Sequence, residues 1–154
     1  MIFCDDSDLM RVQPYVFEQG VASFEELHEV AGDEVVRDCR IYWLSVVPVF
    51  GVAGLYGVGA YGDTPVRESN FDAAKLNPLQ LLSAAVYRVL GWHVLPLLAS
   101  SVGGAGFVEM MSFYRSEYVR EFGAVVQAGM EYNFGSGYEV VNRRSVAELQ
   151  RLRR

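Results

Sequence analysis

Long runs of helical periodicity constrain the fold of this chain more than any other feature of its sequence. Over 24–46, apolar residues recur at steps of three and four, with acidic residues between them. This pattern predicts an amphipathic helix over 24–47, which ends before Pro48 because a residue that precedes proline avoids helical geometry. Two later runs predict helices over 78–99 and 107–128. Three long helices in one chain indicate a mainly α fold, a small antiparallel helical bundle.

The second predicted helix is apolar on nearly every side. Asn77 is a suitable N-cap and Pro78 suits the first helical position, so the start of the helix is well defined. Pro96 is expected to bend the helix or to end its regular part. A helix of this kind is expected at the centre of a bundle, buried on several sides. The residues of its main apolar stripe are Leu79, Leu82, Val86, Val89, His93 and Leu97.

The third predicted helix carries an aromatic-rich stripe. Basic residues are not interleaved with these rings, so the stripe is interpreted as core packing rather than as a platform for stacking bases. Its members are Phe107, Met111, Tyr114, Tyr118, Phe122 and Val125. The bundle is expected to pack around residues of the second and third helices. These core residues are Leu82, Val86, Val89, Tyr114, Tyr118 and Phe122.

Shorter elements flank the three helices. The acidic segment 1–20 predicts a turn or two of helix that Ser7 or Asp8 caps and Pro14 interrupts. The tetrapeptide Ser23-Phe24-Glu25-Glu26 predicts a capping box for the first long helix. After Gly129, a predicted C-cap, loose alternation around a Gly-Ser-Gly sequence predicts a short β-hairpin or extended segments over 130–141.

The composition narrows the possible classes of protein. The 154 residues suit a single domain, and their net charge of −6 argues against a general nucleic-acid binder, which needs clustered Lys and Arg. The two cysteines, Cys4 and Cys39, are too few for a disulfide framework, and no secretory signal is recognised before the acidic start. A reducing, intracellular setting is therefore expected. Cysteines and histidines show no metal-ligand spacing, so neither a metal nor a cofactor is predicted.

No arrangement of residues in the sequence is typical of an active site, and we therefore expect no enzymatic activity. His28 is interpreted as a surface residue on the polar side of the first helix. His93 is interpreted as a hydrogen-bonded core or interface residue rather than as a general base. Cys39 lies on the apolar stripe of the first helix and is interpreted as a packing residue.

A glycine-rich apolar insertion occupies about 48–70. The stretch 41–62 contains no charged residue and is long enough to cross a membrane, so a small membrane-associated protein is the alternative interpretation of this chain. Pro48, five glycines and the scarcity of basic flanking residues argue against a membrane span. We expect extended chain or a loose hairpin that packs in an assembly, because so much glycine in one helix is costly.

The segment 143–154 is a basic C-terminal tail on an acidic domain, 1–142. The tail holds five arginines and one acidic residue, whereas the domain holds eight basic and eighteen acidic residues. Ser145 and Glu148 predict a capping box for a short amphipathic helix, which needs packing contacts to be stable in water. A frayed, solvated terminus is the alternative. The expected partner-binding residues are Arg143, Arg144, Val146, Leu149, Arg151, Leu152, Arg153 and Arg154.

The order of several short phrases resembles that in head-to-tail adaptor proteins of tailed bacteriophages, also called head-completion or connector proteins. The phrases cover roughly 5–132 in patches, and none is a catalytic signature. They are DSDL at 6–9, NFDAAKLNP at 70–78, VYRVLGW at 86–92, LP at 95–96, FYRSEY at 113–118, EF at 121–122 and GMEY at 129–132.

The resemblance implies a helical bundle that forms a homo-oligomer, a dodecameric ring below the portal with an axial DNA channel. It implies contacts with the portal protein, with tail or neck proteins and with genomic DNA that passes without sequence-specific binding, but none with a membrane. The protein is then expected in the virion neck, at the head-tail junction, after synthesis in the host cytoplasm. In this family the C-terminal segment often grips the portal, which is the role expected here for 143–154. The glycine-rich insertion departs from the family pattern.

Overall fold

The structure, a computed structural model, describes residues 1–44, 66, 70–102 and 105–141. It is mainly helical with a small antiparallel hairpin, as the sequence predicts. The α-helices are α1 Asp6–Val12, α2 Glu25–Asp38, α3 Pro78–Val89, α4 Leu95–Val102 and α5 Ala105–Ala128. Short 3-10 helices lie at Pro14–Gln19 and Ala73–Lys75, and π-helical turns lie at Cys39–Leu44 and Leu90–Val94. The strands are β1 Met130–Asn133 and β2 Tyr138–Val141.

The helices α2 and α5 run antiparallel to α3 and cover two of its sides. On one side, Asp38 of α2 contacts Arg88 of α3, while the earlier residue Glu34 contacts the later His93. On the other side, the Gln80 amide at the start of α3 donates to the carbonyl of Gly129, just beyond the end of α5, at 2.8 Å. This is the predicted antiparallel bundle, with α3 at its centre.

Aspartates of the N-terminal segment organise the first two helices. Asp5 caps α1 and forms a capping box with Asp8, so the cap precedes the predicted one. The carboxylate of Asp6 accepts hydrogen bonds from the Ser23 hydroxyl at 2.7 Å and from the backbone N–H of Phe24 at 3.2 Å. The predicted Ser23 capping box is therefore wrong: Phe24 occupies the N-cap position of α2, and Asp6 binds its amide from another element.

The first long helix begins at Glu25 and continues through its π-helical turn to Leu44. Its predicted end, near residue 47, lies outside the described residues. The predicted apolar stripe of this helix is mostly buried, and Cys39 packs in the core as expected. Trp43 is fully buried in the π-helical turn, where its ring lies 6.3 Å from that of Tyr132 in β1. This contact joins the end of the helix to the hairpin.

The central helix starts as predicted and departs from regular α geometry before Pro96. The Asn77 side chain accepts a hydrogen bond from the N–H of Leu79 at 3.0 Å, and Pro78 takes the first helical position. The π-helical turn at Leu90–Val94 lies immediately upstream of Pro96. A proline has no N–H, and its ring crowds the carbonyl four residues earlier, so the regular hydrogen-bond pattern cannot pass through this point.

The buried side of α3 differs from the predicted stripe. Leu79 is 78% exposed and Leu97 of α4 is 47% exposed, whereas Leu81 is fully buried. The reason is that a helix that is apolar nearly all round does not define which side faces its neighbours. The remaining predicted core residues are buried, with Leu82 only partly so. Those that are buried are Val86, Val89, Tyr114, Tyr118 and Phe122.

The helix α5 and the hairpin follow the sequence prediction closely. The aromatic stripe of α5 faces the core. Gly129 ends α5 at a positive φ of 103°, a conformation that glycine adopts without strain. In the hairpin, Met130 pairs with Val141 and Asn133 pairs with Tyr138. The β-hairpin over 130–141 is thus confirmed.

One helical stretch among the described residues, Pro78–Ser101, is long and apolar enough to cross a membrane. Of the most apolar window in this stretch, 61% is buried inside the protein, which is typical of a central helix in a bundle. The membrane span considered from the sequence, 41–62, lies almost entirely outside the described residues, as does the glycine-rich insertion.

A buried arginine network as the candidate functional site

Arg88 is the only Lys or Arg in the segment 78–102, and it points into the bundle. The residue is 8% exposed. Its Nε donates a hydrogen bond to Oε2 of Glu34 at 2.7 Å, and its Nη1 lies 3.6 Å from Oδ2 of Asp38. Glu34 and Asp38 are one helical turn apart on α2, so a single guanidinium can reach both carboxylates.

Aromatic rings enclose the same guanidinium. Cζ of Arg88 lies 4.4 Å from the ring centre of Trp92 and 5.2 Å from that of Tyr118. The two rings meet edge to face at 5.4 Å. A cation held over desolvated aromatic faces is stabilised by roughly 2 kcal/mol. The rings therefore offset part of the cost of removing the charge from water.

The two carboxylates have further donors. The Tyr118 hydroxyl donates to Oδ2 of Asp38, and Nε2 of His93 lies 2.9 Å from Oε2 of Glu34. Burial raises the pKa of the Tyr118 hydroxyl, and its bond to Asp38 adds to this effect. Burial alone would raise the pKa of Glu34, but the hydrogen bonds from Arg88 and His93 outweigh it, so this pKa lies below its usual value. Glu34 thus remains ionised near neutral pH.

The π-helical turn at Leu90–Val94 supplies the last contact of the network. The side chain of Arg115 on α5 donates from Nε to the carbonyl of Gly91 at 3.0 Å. A Cβ at Gly91 would lie 3.2 Å from the backbone nitrogen of Arg115, so the two helices approach closely here. The Arg115 guanidinium also lies 5.3 Å from the centre of the Trp92 ring. Turns of this type occur often at functional positions.

The contacts of the network join helices to one another. Arg88 is paired with Glu34 and Asp38, and removing one partner of a buried ion pair leaves the other uncompensated, so the pairs favour the arrangement of helices in which both partners meet. Its members come from α2, α3, the following π-helical turn and α5, so it sets the register of the central helices. We therefore assign it a positioning role within the subunit.

A second cluster has the geometry of a nucleophilic triad. The Sγ of Cys4 lies 3.4 Å from Nδ1 of His28, and Nε2 of the same ring lies 2.9 Å from Oδ1 of Asp6. The electrostatics oppose catalysis, because burial and then the nearby Asp8, Asp5 and Asp6 raise the pKa of the Cys4 thiol to about 12. A nucleophilic cysteine needs a lowered pKa. This cluster is best described as a structural link between the N-terminal segment and α2.

The structure shows the environments of both histidines, which can be compared with the environments predicted from the sequence. The prediction that His28 is a surface residue is wrong, because its ring is buried and bonded on both nitrogens. His28 is spaced four residues from Phe24 and three from Ala31, so helical spacing already placed it on the buried stripe. His93 is hydrogen-bonded and mostly buried, as predicted, and its partner is Glu34.

Helical spacing does not predict the arginine network, although the sequence contains one signal for it. When a helix is buried on several sides and contains a single arginine, a neighbouring element must supply an acidic partner for that charge. Asp38 and Glu34, one turn apart on the neighbouring helix, are such partners. Asp38 is buried, although it lies among the acidic residues between the apolar positions of the first helix.

The predicted partner-binding residues lie outside the described residues, and the structure does not place any of them. They are Arg143, Arg144, Val146, Leu149, Arg151, Leu152, Arg153 and Arg154. Within the described ranges, no group of three or more His, Cys, Asp or Glu side chains could hold a metal ion. A shallow cleft between α1 and α3 is lined by Val12, Leu82 and Tyr87, with Asp8 and Arg11 beside them.

The chain has no significant match among protein-family models, curated proteins or solved structures.

Proposed function

We propose that this protein is a structural virion component, a head-to-tail adaptor. In this proposal, copies form a ring that joins the portal to the tail and lines the DNA channel in the virion neck. The proposal starts from the sequence phrases that resemble this family. One structural observation supports it above others, namely that the residues of separate phrases pack directly on each other.

The first set of such contacts lies in the middle of the bundle. Arg88 and Trp92 belong to the phrase VYRVLGW, and Tyr118 belongs to FYRSEY. The guanidinium and the two rings of these residues are in mutual contact. Residues that are far apart in the chain are thus in contact, as expected if the phrases together specify one packed core.

The second set lies where α3 begins and the hairpin starts. The N–H of Asn77, in the phrase NFDAAKLNP, donates to the carbonyl of Glu131, in GMEY, at 3.1 Å. The side-chain amide of Asn77 also donates to the Glu131 carboxylate. The Tyr132 hydroxyl accepts from the N–H of Asp72 at 2.9 Å. These bonds hold the hairpin against the end of the bundle.

A rigid subunit suits an adaptor, because ring geometry depends on each copy keeping one shape under load. Ion pairs, cation–π contacts and hydrogen bonds join α2, α3 and α5 among the described residues. The Cys4 cluster, which comes nearest to a catalytic arrangement, carries an unactivated thiol. These features favour a structural role over an enzymatic one.

In this proposal the basic tail 143–154 docks on the portal protein. Its arginines supply charge, and Val146, Leu149 and Leu152 supply apolar contact. A tail of twelve residues makes few contacts, but a ring presents many copies of it and gains affinity through avidity. Salt is expected to weaken the charged part of this interaction and to leave the apolar part unchanged.

The test has two parts, electron microscopy of the purified protein and co-sedimentation with portal-bearing capsids. We expect ring-shaped particles and binding to capsids by the full chain. Deletion of 143–154 should abolish binding while the far-ultraviolet circular dichroism spectrum remains helical. A variant with the five tail arginines changed to glutamine should lose the salt-sensitive part only.

Two outcomes would contradict the proposal. Absence of rings, together with absence of capsid binding by the full chain, would reject the adaptor role. Undiminished binding by the truncated chain would reject the docking role of the tail and assign it to another partner, with channel DNA or a neighbouring subunit as the next candidates.

A further inference from the structure

One apolar side of α3 is left uncovered by the other described elements. Leu79, Leu82 and Val86 recur at helical steps and therefore lie on one side of this helix. Leu79 is 78% exposed and Leu82 is partly exposed. Val86 lines the cleft between α1 and α3 together with Val12, which is 40% exposed. The cleft and the exposed Leu79 thus form one apolar surface along α3, which we call the α1–α3 groove.

The segment 143–154 carries an apolar edge that suits such a groove. Val146, Leu149 and Leu152 are spaced three residues apart, so they form a single edge in a helix. Ser145 and Glu148 predict the capping box that starts this helix. A helix of this length is not stable in water unless its apolar edge is buried. Binding of an amphipathic helix in an apolar groove is a common mode of recognition.

The hairpin brings the described chain to the beginning of the groove. Val141, the last described residue, pairs with Met130, and Cα atoms in such a pair are about 5 Å apart. Gly129, which precedes Met130, accepts a hydrogen bond from the side chain of Gln80 at 2.8 Å. Gln80 follows Leu79 directly in the sequence. The chain therefore leaves the hairpin beside the first turn of α3.

The length of chain that follows fits the groove. Residues 142–145 precede the predicted helix and span up to about 13 Å when extended, which exceeds the spacing of about 10 Å between packed helices. A helix over 146–154 is about 14 Å long, and α3 rises about 12 Å from Leu79 to Tyr87. The segment can therefore reach the groove of its own subunit and run along it.

The charges beside the groove favour a basic occupant. Asp5, Asp6 and Asp8 belong to α1 and its cap, whereas Arg11 is the one basic residue of this helix. Asp8 and Arg11 lie at the cleft, and the Arg11 side chain is mostly in solvent. The segment 143–154 has five arginines and one glutamate, a net charge of +4. A basic segment is attracted to an acidic surface of this kind.

We propose that, in the free subunit, the segment 143–154 lies as a short helix in the α1–α3 groove of its own chain. In this arrangement Leu149 and Leu152 pack on the apolar side of α3 that Leu79 and Leu82 form. The placement does not rest on the proposed function, and it leaves the formation of rings open. It adds one step to that function, because the two leucines are unavailable to a portal until the segment leaves the groove.

Thiol labelling of the full chain tests whether the segment covers the groove. Ser83 is exposed among the described residues and lines the cleft, so Ser83→Cys places a thiol where the helix is proposed to lie. Changing Leu149 and Leu152 to serine should remove this cover and raise the labelling rate roughly tenfold or more. Val119→Cys is the matched control, because Val119 is 67% exposed on α5 and does not line the cleft. Its labelling rate should be the same with either tail.

A disulfide cross-link tests which chain supplies the helix. Ser83→Cys combined with Leu149→Cys should give, on mild oxidation, a disulfide within one chain, which non-reducing electrophoresis separates from a disulfide between two chains. Val119→Cys combined with Leu149→Cys is the control and should form a disulfide roughly tenfold more slowly or less.

Three outcomes would overturn the proposal. Equal labelling of Ser83→Cys with the intact and the serine-substituted tail would show that the segment does not cover the groove, and a thiol protected in both would assign the groove to another part of the chain, such as 48–62. Equal rates of cross-linking in the two cysteine pairs would contradict the placement. A disulfide between chains would assign the groove to the segment of a second copy. Neither measurement contains a portal or a capsid, so a failure here is distinct from a failure of the adaptor role.

Discussion

Arg88 connects more parts of this molecule than its position on an apolar helix suggests. Its guanidinium, carried by α3, contacts two carboxylates of α2, a ring of the π-helical turn Leu90–Val94 and a ring of α5, so four elements of the bundle depend on one charge. Loss of this residue should cost more than loss of a surface arginine, because it leaves behind one carboxylate that is buried, Asp38, and one that is partly buried, Glu34.

Arg88→Met should therefore destabilise the protein strongly. The variant leaves the buried Asp38 and the partly buried Glu34 without their cation, and loss of one partner of a buried pair costs about 3–5 kcal/mol. Urea unfolding measures the change. Arg115 is exposed and also lies beside the Trp92 ring, so Arg115→Met is the control and should cost about 1 kcal/mol. Adding Glu34→Gln and Asp38→Asn to Arg88→Met should recover much of the loss, and no recovery would contradict the account.

Because of Glu34, the free energy of unfolding should depend on pH in the acidic range. Its pKa is lower in the folded protein than in the unfolded chain, owing to hydrogen bonds from Arg88 and His93 that outweigh burial. The stabilisation is thus complete above the unfolded pKa, about 4.3, and is lost as pH falls through the folded value. Urea unfolding at pH 7 and pH 3 should show a larger loss for the wild type than for Glu34→Gln. Equal losses would contradict this assignment.

The two cysteines should be inert in the folded protein. Burial raises the pKa of both thiols to about 12, so roughly one in ten thousand is ionised at pH 8. An aromatic disulfide reagent should react with neither thiol before unfolding and with both in denaturant, as peptide mapping of the labelled protein can show. Rapid labelling of Cys4 in the native state would instead indicate an activated nucleophile beside His28.

At the scale of the secondary-structure elements, the sequence predicts where several helices begin and end, but it does not predict which side of the central helix is buried. Helix starts with a strong cap, such as Asn77-Pro78, and helix ends with glycine, such as Gly129, are where the sequence predicts them. The orientation of α3 could not be predicted, because apolar residues on all sides leave several rotations about the helix axis equivalent. Its true orientation is set by the helices that pack on it.

The orientation of α3 can be checked with two leucines that are two residues apart. Leu81→Ala should lower the free energy of unfolding by about 2–5 kcal/mol, because Leu81 is fully buried. Leu79→Ala should change it by no more than about 0.5 kcal/mol, because this side chain is in solvent. Thermal or urea unfolding distinguishes them. The opposite order would restore the stripe predicted from the sequence.

At the scale of the whole molecule, the distribution of charge along the chain can be seen in the sequence, but the contacts between charged residues in the core cannot. The contrast between an acidic domain and the basic tail 143–154 is readable from the sequence alone and predicts where a partner binds. The arginine network is not readable in the same way, because Glu34, Arg88 and Tyr118 meet only after three helices have docked. The spacing of residues in the sequence shows which side chains are neighbours on one helix. It does not show which side chains of different helices meet in the core.

The π-helical turn at Leu90–Val94 has a consequence for how such chains tolerate changes in length. Each residue of an α-helix turns it by about 100°, and a π-helical turn accommodates roughly one additional residue. Loss of one residue within this turn could therefore restore a regular helix while Val86 and Leu98, on either side, still face the core. Elsewhere in α3 the same deletion would rotate one half of the helix against the other. Relatives of this chain should accordingly differ in length by one residue at this turn before they do so anywhere else in the central helix.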